Sequence, residues 1–557
     1  MPQLISNSER YYARRASLVE FLPEGLLQWM TTGLSSWFCS LFFGALIPLS
    51  FAPFNTYSSA FSYLIFFPLS LFIYQLLQAH TAREAFYRGL LFGIGLFSVG
   101  VSWLYVAIHD FGMAHWSLAG LFTGLFILFL AVFYALFGWS LFRIRDKLKE
   151  EQQSLEHSFK HSASQKTLVL FYLPILWVFL EWLRSWFLTG FPWLLFGYPL
   201  IETSLAGYAP IVGIYGLSFL VVFLSALLNA RINPFFSLMG ITLLFIAGLL
   251  LGKIQWSEPL GEPLSVALIQ GNVNQSIKWD RWQLEKTKQL YIKLSQNQWQ
   301  DKDLIVWPEN AIPAFYHTLE NTFYHNLVLQ AEKTQTELIT GLPVVDDKTD
   351  KYYSAMINLG GQQGSYYKSH LVPFGEYVPL ASLIRGLIKF FNIPMSGFSA
   401  GESDQPPLFI KGHKVVVTLC YEDVFPQDMI SQIPQSQFMI NLSNNGWYGD
   451  SFAPHQHLEM SRMRALETSR ELIRSTTSGI SALIDSKGKP MVKGPQFKQA
   501  VVTGNIQPRT GITPYVYWGN YPIISLFIIA LLLFWKQSRQ HFLRSLIHTR
   551  AAPDQKK

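Results

Sequence analysis

Lys414-Val-Val-Val-Thr-Leu-Cys420-Tyr-Glu-Asp423 is a β-branched, apolar run that stops at a thiol and passes straight into an acidic turn. Short Val-rich runs read as buried strands. A nucleophile where such a strand gives way to a turn is presented at a tip while its backbone is held rigid. The neighbouring sequence repeats the pattern. Apolar runs at 265–270, 303–307, 338–342, 415–419, 438–441 and 500–506 are interleaved with helical periodicity over 282–298 and 455–472. Alternating strands and helices predict a layered α/β domain.

Outside that domain the composition changes. The chain of 557 residues is 50% hydrophobic and 14% charged, against about 25% charged in an average soluble chain. Crossing a hydrocarbon core takes roughly 20 apolar residues. Stretches of that kind lie at about 28–50, 58–78, 87–108, 115–141, 167–186, 209–230, 234–252 and 520–536, which predicts an α-helical membrane bundle of eight transmembrane helices. The first is too long for a cleaved signal peptide and is followed by further spans.

Charge placement sets the expected orientation. The net charge is +7, yet residues 253–520 hold 24 basic and 24 acidic side chains, so the excess lies beside the apolar stretches. A nucleic-acid binder concentrates positive charge on its folded domain, so no nucleic-acid partner is expected and a membrane is. Arg10, Arg14, Arg15, Arg83, Arg88, Arg143, Arg145, Lys147, Lys149, Lys160, Lys166, Arg231, Lys536, Arg539, Arg544, Arg550, Lys556 and Lys557 fall on one side, and Arg184 alone on the other. The basic side is cytoplasmic by the positive-inside rule. The expected organisation is a membrane domain of seven spans over 1–252, an outer catalytic domain over 253–519, and an eighth span with a basic cytoplasmic tail over 520–557. Residues 150–166 read as a polar cytoplasmic loop.

Two cysteines, Cys39 and Cys420, cannot build a disulfide framework or a Cys-rich zinc site. An isolated cysteine is most often a small buried residue, but a lone thiol outside the membrane, whose only possible partner lies inside it, asks for a reason. Glu309, in Trp-Pro-Glu-Asn, follows a predicted strand that Pro308 ends. Lys368 lies in Tyr-Tyr-Lys-Ser-His, ahead of Glu376. Each alone reads as a solvated loop charge. Together they make chemical sense: a thiol needs a base, and an ammonium favours the thiolate and a tetrahedral oxyanion. Spacing does not say whether they meet. His455 and His457 lack a metal-ligand partner set and read as structural. No metal motif and no phosphate-binding Gly-rich loop is present, so no metal and no cofactor are expected.

Glu309 in Trp-Pro-Glu, Lys368 in Tyr-Tyr-Lys and Cys420 in Leu-Cys-Tyr-Glu resemble the Glu-Lys-Cys triad of the nitrilase superfamily. Further motifs narrow the resemblance to its membrane-embedded branch, the apolipoprotein N-acyltransferases. These are Gly271-Asn-Val with Lys278-Trp-Asp280, the stretch His370-Leu-Val-Pro-Phe-Gly-Glu376-Tyr-Val-Pro379, His455-Gln-His and Arg462-Met-Arg-Ala-Leu-Glu467. In the membrane half, Phe51-Ala-Pro-Phe-Asn55, Glu181-Trp-Leu-Arg184 and Gly190-Phe-Pro-Trp193 also fit. Asn444-Asn-Gly-Trp-Tyr-Gly449 departs from the expected Asn-Asp-Ala-Trp-Phe-Gly.

The resemblance implies an αββα nitrilase-like sandwich outside a bacterial inner membrane, with both termini cytoplasmic, acting as a monomer. It implies transfer of an acyl chain from the sn-1 ester of a membrane phospholipid, through a Cys420 thioester, to the N-terminal α-amine of a diacylglyceryl-cysteine apolipoprotein, with ping-pong kinetics. Glu309 is the implied base and acid, Lys368 the oxyanion stabiliser and Cys420 the nucleophile. Trp279, Glu376, Tyr421 and Glu422 are implied supporting residues. Glu376 and Glu422 are expected to orient Lys368, and Trp279 and Trp447 to contact lipid. A membrane-anchored amidase, with water as acceptor, uses the same triad. A transporter would carry paired ionisable groups deep in several spans, whereas the clear candidates, Glu181 and Arg184, lie near the outer end of the fifth. They read as a mutual pair or a head-group contact.

Overall fold

The computed structural model describes residues 17–153, 166–230, 232–346, 348–362, 364–377 and 397–550. Arg10, Arg14, Arg15, Lys160, Arg231, Lys556, Lys557 and the Val378-Pro379 end of the long motif lie outside them.

Fourteen strands are present among the described residues: β1 (Glu258–Pro259), β2 (Leu264–Gln270), β3 (Leu304–Val306), β4 (Glu337–Asp346), β5 (Lys351–Leu359), β6 (Gly364–Tyr367), β7 (Leu408–Ile410), β8 (His413–Leu419), β9 (Phe438–Ser443), β10 (Leu472–Thr476), β11 (Ala482–Ile484), β12 (Pro490–Lys493), β13 (Ala500–Ile506) and β14 (Arg509–Thr510). Two six-stranded sheets run β13-β2-β3-β4-β5-β6 and β12-β11-β10-β9-β8-β7, with β1 and β14 paired apart. In each sheet the central strands are parallel, β2-β3-β4 in one and β8-β9-β10 in the other, and the outer pairs are antiparallel. Parallel central strands are covered on both faces and therefore read as continuous apolar runs.

The side-chain period of two divides each run between two cores. Val266, Leu268, Leu304 and Val306 of the first sheet meet Val415, Val417, Ile440 and Leu442 of the second. The intervening Ala267, Ile269 and Ile305 face Tyr291 and Leu327 on the helices Arg281–Ser295 and His325–Thr334. Val416, Met439 and Leu472 face Leu458 and Ala465 on the helix Ala453–Thr468. The layers are thus αββα.

Several boundaries differ from expectation. The helix expected over 455–472 stops at Thr468, where Ser469 takes a left-handed φ of 51°, and Leu472 opens β10. The strands β5, β6, β7, β10, β11 and β12 were not evident in the sequence. β12, for instance, alternates exposed with half-buried residues and has no apolar run.

Among the described residues, five helical stretches, Gly33–Ser50, Ala60–Leu77, Trp116–Lys149, Ser204–Leu227 and Pro234–Leu251, are long and apolar enough to cross a membrane. Ala82–Gly100 and Trp103–Phe111, bent by 53°, make a sixth if they are one span. The fifth expected span is a π-turn, Leu168–Tyr172, leading into the helix Leu173–Arg184. The eighth corresponds to a shorter apolar helix, Tyr521–Lys536. The helix Trp116–Gln153 runs on beyond residue 141, so Arg143, Arg145, Lys147 and Lys149 extend a helix rather than a loop. Two residues of the basic set are buried. Arg88 donates to the carbonyls of Gln75 and Thr31, and Arg145 donates to those of Leu77 and Ala79 at 2.6 Å each. They satisfy carbonyls that helix ends leave unpaired.

The two halves share one apolar core. Tyr421, Val424 and Phe425, just past Cys420, cluster with Trp193, Leu195 and Leu217 of the membrane half. The Trp193 indole donates to Gln456 at 2.6 Å, and Gln456 donates to the Gly100 carbonyl at 3.2 Å.

Candidate active site

β8 delivers Cys420 to its tip. There the residue has φ of 49°, a left-handed conformation that costs a non-glycine residue energy and persists only when its surroundings enforce it. The enforcing groups lie on the chain around it. The Cys420 carbonyl accepts from Asn441 Nδ2 at 3.3 Å and lies 3.2 Å from His457 Nε2. His457 Nε2 is 2.7 Å from Asp423 Oδ1, and Arg474 donates to Asp423 at 3.1 Å and to Asn441 at 2.8 Å. Ser461 donates to the same Asp423 carboxylate. All are buried. Burial raises the Asp423 carboxyl, but His457, Arg474 and Ser461 outweigh it and hold it below its usual value. Burial, then Arg474, lowers the imidazole of His457. The sequence carried no mark of this network beyond residues that look structural one by one.

Glu309, past the end of β3, accepts from the backbone N–H of Asn444 at 2.9 Å through Oε2. Its Oε1 lies 3.4 Å from Lys368 Nζ. The Asn444 amide also reaches the Cys420 thiol, and Lys368 interacts with Cys420 electrostatically. Glu309, Lys368 and Cys420, far apart in sequence, are therefore gathered around one point, and all three are buried. Lys368 follows β6, and its Nζ donates to Glu376 Oε1 at 2.8 Å. Burial opposes the ammonium, yet Glu309 and Glu376 outweigh it and raise Lys368 well above its ordinary value. Glu376 is itself raised, by burial first, and its Oε2 is fixed by the Val372 amide at 2.8 Å. Burial, and after it the charge of Glu309, push the Cys420 thiol well above its usual range, while Lys368 pulls it back. Burial and Glu309 thus favour the thiol form of Cys420, which lies beside Glu309 and Lys368.

Glu422 does not bind the Lys368 ammonium as expected. Its Oε1 accepts from the Ser369 and His370 amides at 2.7 and 3.0 Å and from Tyr366 at 3.0 Å, and its Oε2 accepts from the Leu419 amide at 2.7 Å. It pins the chain on either side of Lys368 to the Cys420 turn. Tyr421 turns away from the sulfur into the membrane half, where its hydroxyl donates to the Gly190 carbonyl at 3.2 Å. Trp447 is half-buried in the turn Asn445–Tyr448, whose Tyr448 packs edge-on to Trp103 of the membrane half at 5.0 Å. Trp279 is half-buried between β2 and the helix Arg281–Ser295.

Glu181 and Arg184 are buried, and neither pairs as an ion pair nor faces outward. Glu181 accepts from Trp177 and from the Phe196 amide at 3.1 Å each, and Arg184 donates to the Phe191 and Trp193 carbonyls at 2.8 Å. Together they fix the loop that carries Gly190 and Trp193 under Tyr421. Among the described residues no group of His, Cys, Asp and Glu is arranged to hold a metal.

Comparison with known proteins falls in line with this geometry. Residues 43–227 match the family model of the apolipoprotein N-acyltransferase N-terminal domain, and residues 265–515 match that of carbon-nitrogen hydrolase. The apolipoprotein N-acyltransferase of Methylococcus capsulatus is 38% identical over 491 residues, covering 87% of this chain and 92% of that one. That of Coxiella burnetii is 39% identical over 504 residues, covering 89% and 98%. The chain belongs to the apolipoprotein N-acyltransferase family. Among solved structures, Nit3 of Saccharomyces cerevisiae, a nitrilase-superfamily member, superposes at a TM-score of 0.35 with 20% identity, covering 45% of this chain and 93% of that one. In this chain a helical apolar region precedes the carbon-nitrogen hydrolase fold. In this member the two are joined through Tyr421, the residue after the candidate nucleophile.

Proposed function

We propose that this protein completes lipoprotein acylation, moving a fatty acyl chain from the sn-1 ester of a membrane phospholipid to the N-terminal α-amine of a diacylglyceryl-cysteine apolipoprotein. Glu309 takes the Cys420 proton as the sulfur attacks the ester carbonyl carbon. Lys368 and the backbone N–H next to Cys420 hold the oxyanion. Collapse breaks the ester C–O bond, Glu309 returns the proton to the leaving glycerol oxygen, and lysophospholipid departs from S-acyl Cys420. The neutral α-amine then attacks the thioester. Glu309 accepts its proton, the C–S bond breaks, and the proton passes to the sulfur. An α-amine has a pKa near 8, so a useful fraction is neutral at pH 7. The order of events is ping-pong.

The observation that carries this reading is Tyr421. Tyr421, next to Cys420, packs in the core shared with the apolar helices, which favours lipid over a small water-borne amide as the acyl source. In this reading the outer domain spans 253–519, eight helices cross the inner membrane, and both termini are cytoplasmic. The test is direct. Incubating the purified protein with acyl-labelled phospholipid is expected to leave a hydroxylamine-sensitive label on wild type and none on Cys420→Ser. A label that survives in Cys420→Ser overturns the nucleophile. Adding a diacylglyceryl-cysteine peptide is expected to move the label into an amide; release as free fatty acid instead overturns the transferase reading.

A further inference from the structure

Between β2 and the helix Arg281–Ser295, three solvent-excluded nitrogens have no hydrogen-bond partner: Gln275 Nε2, Lys278 Nζ and Trp279 Nε1. Lys278 is 1% exposed and Gln275 8%. Leaving a buried donor unpaired is costly, and three such donors lie on this one loop.

Position and chemistry narrow what would satisfy them. Lys278 feels Glu309 as its charged neighbour, but both Glu309 oxygens are already engaged, by Lys368 and by the Asn444 amide. Gln275 is fixed in orientation because its Oε1 accepts from Asn444 Nδ2 at 3.1 Å, which leaves its NH2 as the free end. Gly446 gives that carbonyl room: a Cβ there would meet Gln275 Oε1 at 3.1 Å. The same Asn444 supplies the amide that reaches Glu309 and Cys420. An amide NH2 and an indole N–H are donors only, and Lys278, lowered by burial to about 7 against the pull of Glu309, donates as well. The matching ligand brings several acceptor oxygens and no donors of its own.

We propose that the loop over 271–280 is a subsite for the oxygens of a glycerolipid, its ester carbonyls and phosphodiester, held by Lys278 and Gln275 with the Trp279 indole beside the acyl-transfer centre. The inference rests on the acyl-transfer reading above. A primary amide or a sugar would bring donors that the Gln275 NH2 and the Trp279 N–H cannot accept. Two lipids share the required chemistry, the phospholipid donor and the diacylglyceryl group of the acceptor.

The two half-reactions separate them. Acyl-enzyme formation is measured against the concentration of a labelled dipalmitoyl phospholipid, and its discharge against that of a synthetic diacylglyceryl-cysteine peptide, with full-length protein in detergent. Lys278→Met is expected to raise the half-saturating concentration at least about tenfold in one of them. A rise confined to phospholipid assigns the subsite to the donor, and one confined to the peptide assigns it to the acceptor. Lys278→Gln, which keeps N–H donors, is expected to recover part of the loss, and Gln275→Leu to shift the same step. Should Lys278→Met not fold, Gln275→Leu decides. Unchanged half-saturation for both lipids overturns the subsite, whatever happens to the maximal rate. Absence of acyl-enzyme from wild type would instead overturn the acyl-transfer reading itself.

Discussion

Glu309 raises the proton affinity of the thiol it is proposed to deprotonate. The two effects can be pulled apart. In Glu309→Gln the charge opposing ionisation is gone, so alkylation of Cys420 by iodoacetamide at pH 8 is expected to be faster than in wild type. Acyl-enzyme formation is expected to fall about 10²-fold or more, as for loss of a general base. In wild type, the alkylation rate is expected to keep climbing above pH 9, because burial and Glu309 both hold the thiol up. Lys368 is equally exposed to test. Replacing it with Met leaves Glu309 and Glu376 without the ammonium between them. Loss of one partner from a buried ionic set costs about 3–5 kcal/mol, so Lys368→Met is expected to lower the melting temperature as well as abolish transfer. Cys420 and Glu309 were legible in the sequence as residue types at strand ends, and Lys368 only through the motif around it. Their convergence was not, because the contacts that join them cross between two sheets.

Among the secondary-structure elements, close approach decides the membrane half. Gly44 and Gly95 face each other across the helices Gly33–Leu46 and Ala82–Gly100. A Cβ on Gly44 would lie 2.0 Å from the Phe92 carbonyl oxygen, and one on Gly95 would lie 2.0 Å from that of Leu41. Small residues at helix crossings let backbones touch where no hydrophobic force separates helix from lipid. Gly95→Val is therefore expected to push the pair apart and to yield less folded protein in detergent, read as a lower melting temperature. The end of β8 depends on a different element, the helix Ala453–Thr468, which brings His457 and Ser461 under the Cys420 turn. Arg474→Met would leave the buried Asp423 carboxylate without its cationic partner, holding only His457 and Ser461. A stability loss of about 3–5 kcal/mol in denaturant titration is expected. The parallel strands β2, β3, β4, β8 and β9, and the antiparallel β13, could be read from their apolar runs. β10, whose short run is broken by Arg474, and β12, half-open to water, could not.

Across the whole molecule, the contact between halves buries a titratable carboxyl. Glu459, in the carbon-nitrogen hydrolase domain, accepts from the side-chain amide of Asn55 and from the Ala52 amide at 3.5 Å in the helical half. Burial lifts its carboxyl from the ordinary 4.5 to about 7, with Asn55 and Arg462 opposing, and Glu467 is lifted likewise to about 7. Between pH 4.5 and 7 the folded protein thus binds more protons at these sites than the unfolded chain. Stability from them is complete below pH 4.5 and is lost as pH rises through 7. The melting temperature is expected to fall from pH 5 to pH 7, and the fall to be shallower in Glu459→Gln. An equal slope in the variant would remove Glu459 from the account.

The sequence by itself determined the period of each element. Apolar runs separated membrane helices from buried strands, the turn after Val415-Val-Val-Thr-Leu419 placed a thiol at a strand tip, and the motifs around Glu309, Lys368 and Cys420 carried the family resemblance. Those are local properties, written in spacing and residue type. Tertiary structure alone decided that Glu422 grips backbone rather than Lys368, that Glu181 and Arg184 brace a loop rather than each other, and that Tyr421 reaches into the membrane core. Each of these is a choice among partners of suitable chemistry. Only packing, by bringing some within hydrogen-bond reach and burying them from water, makes that choice.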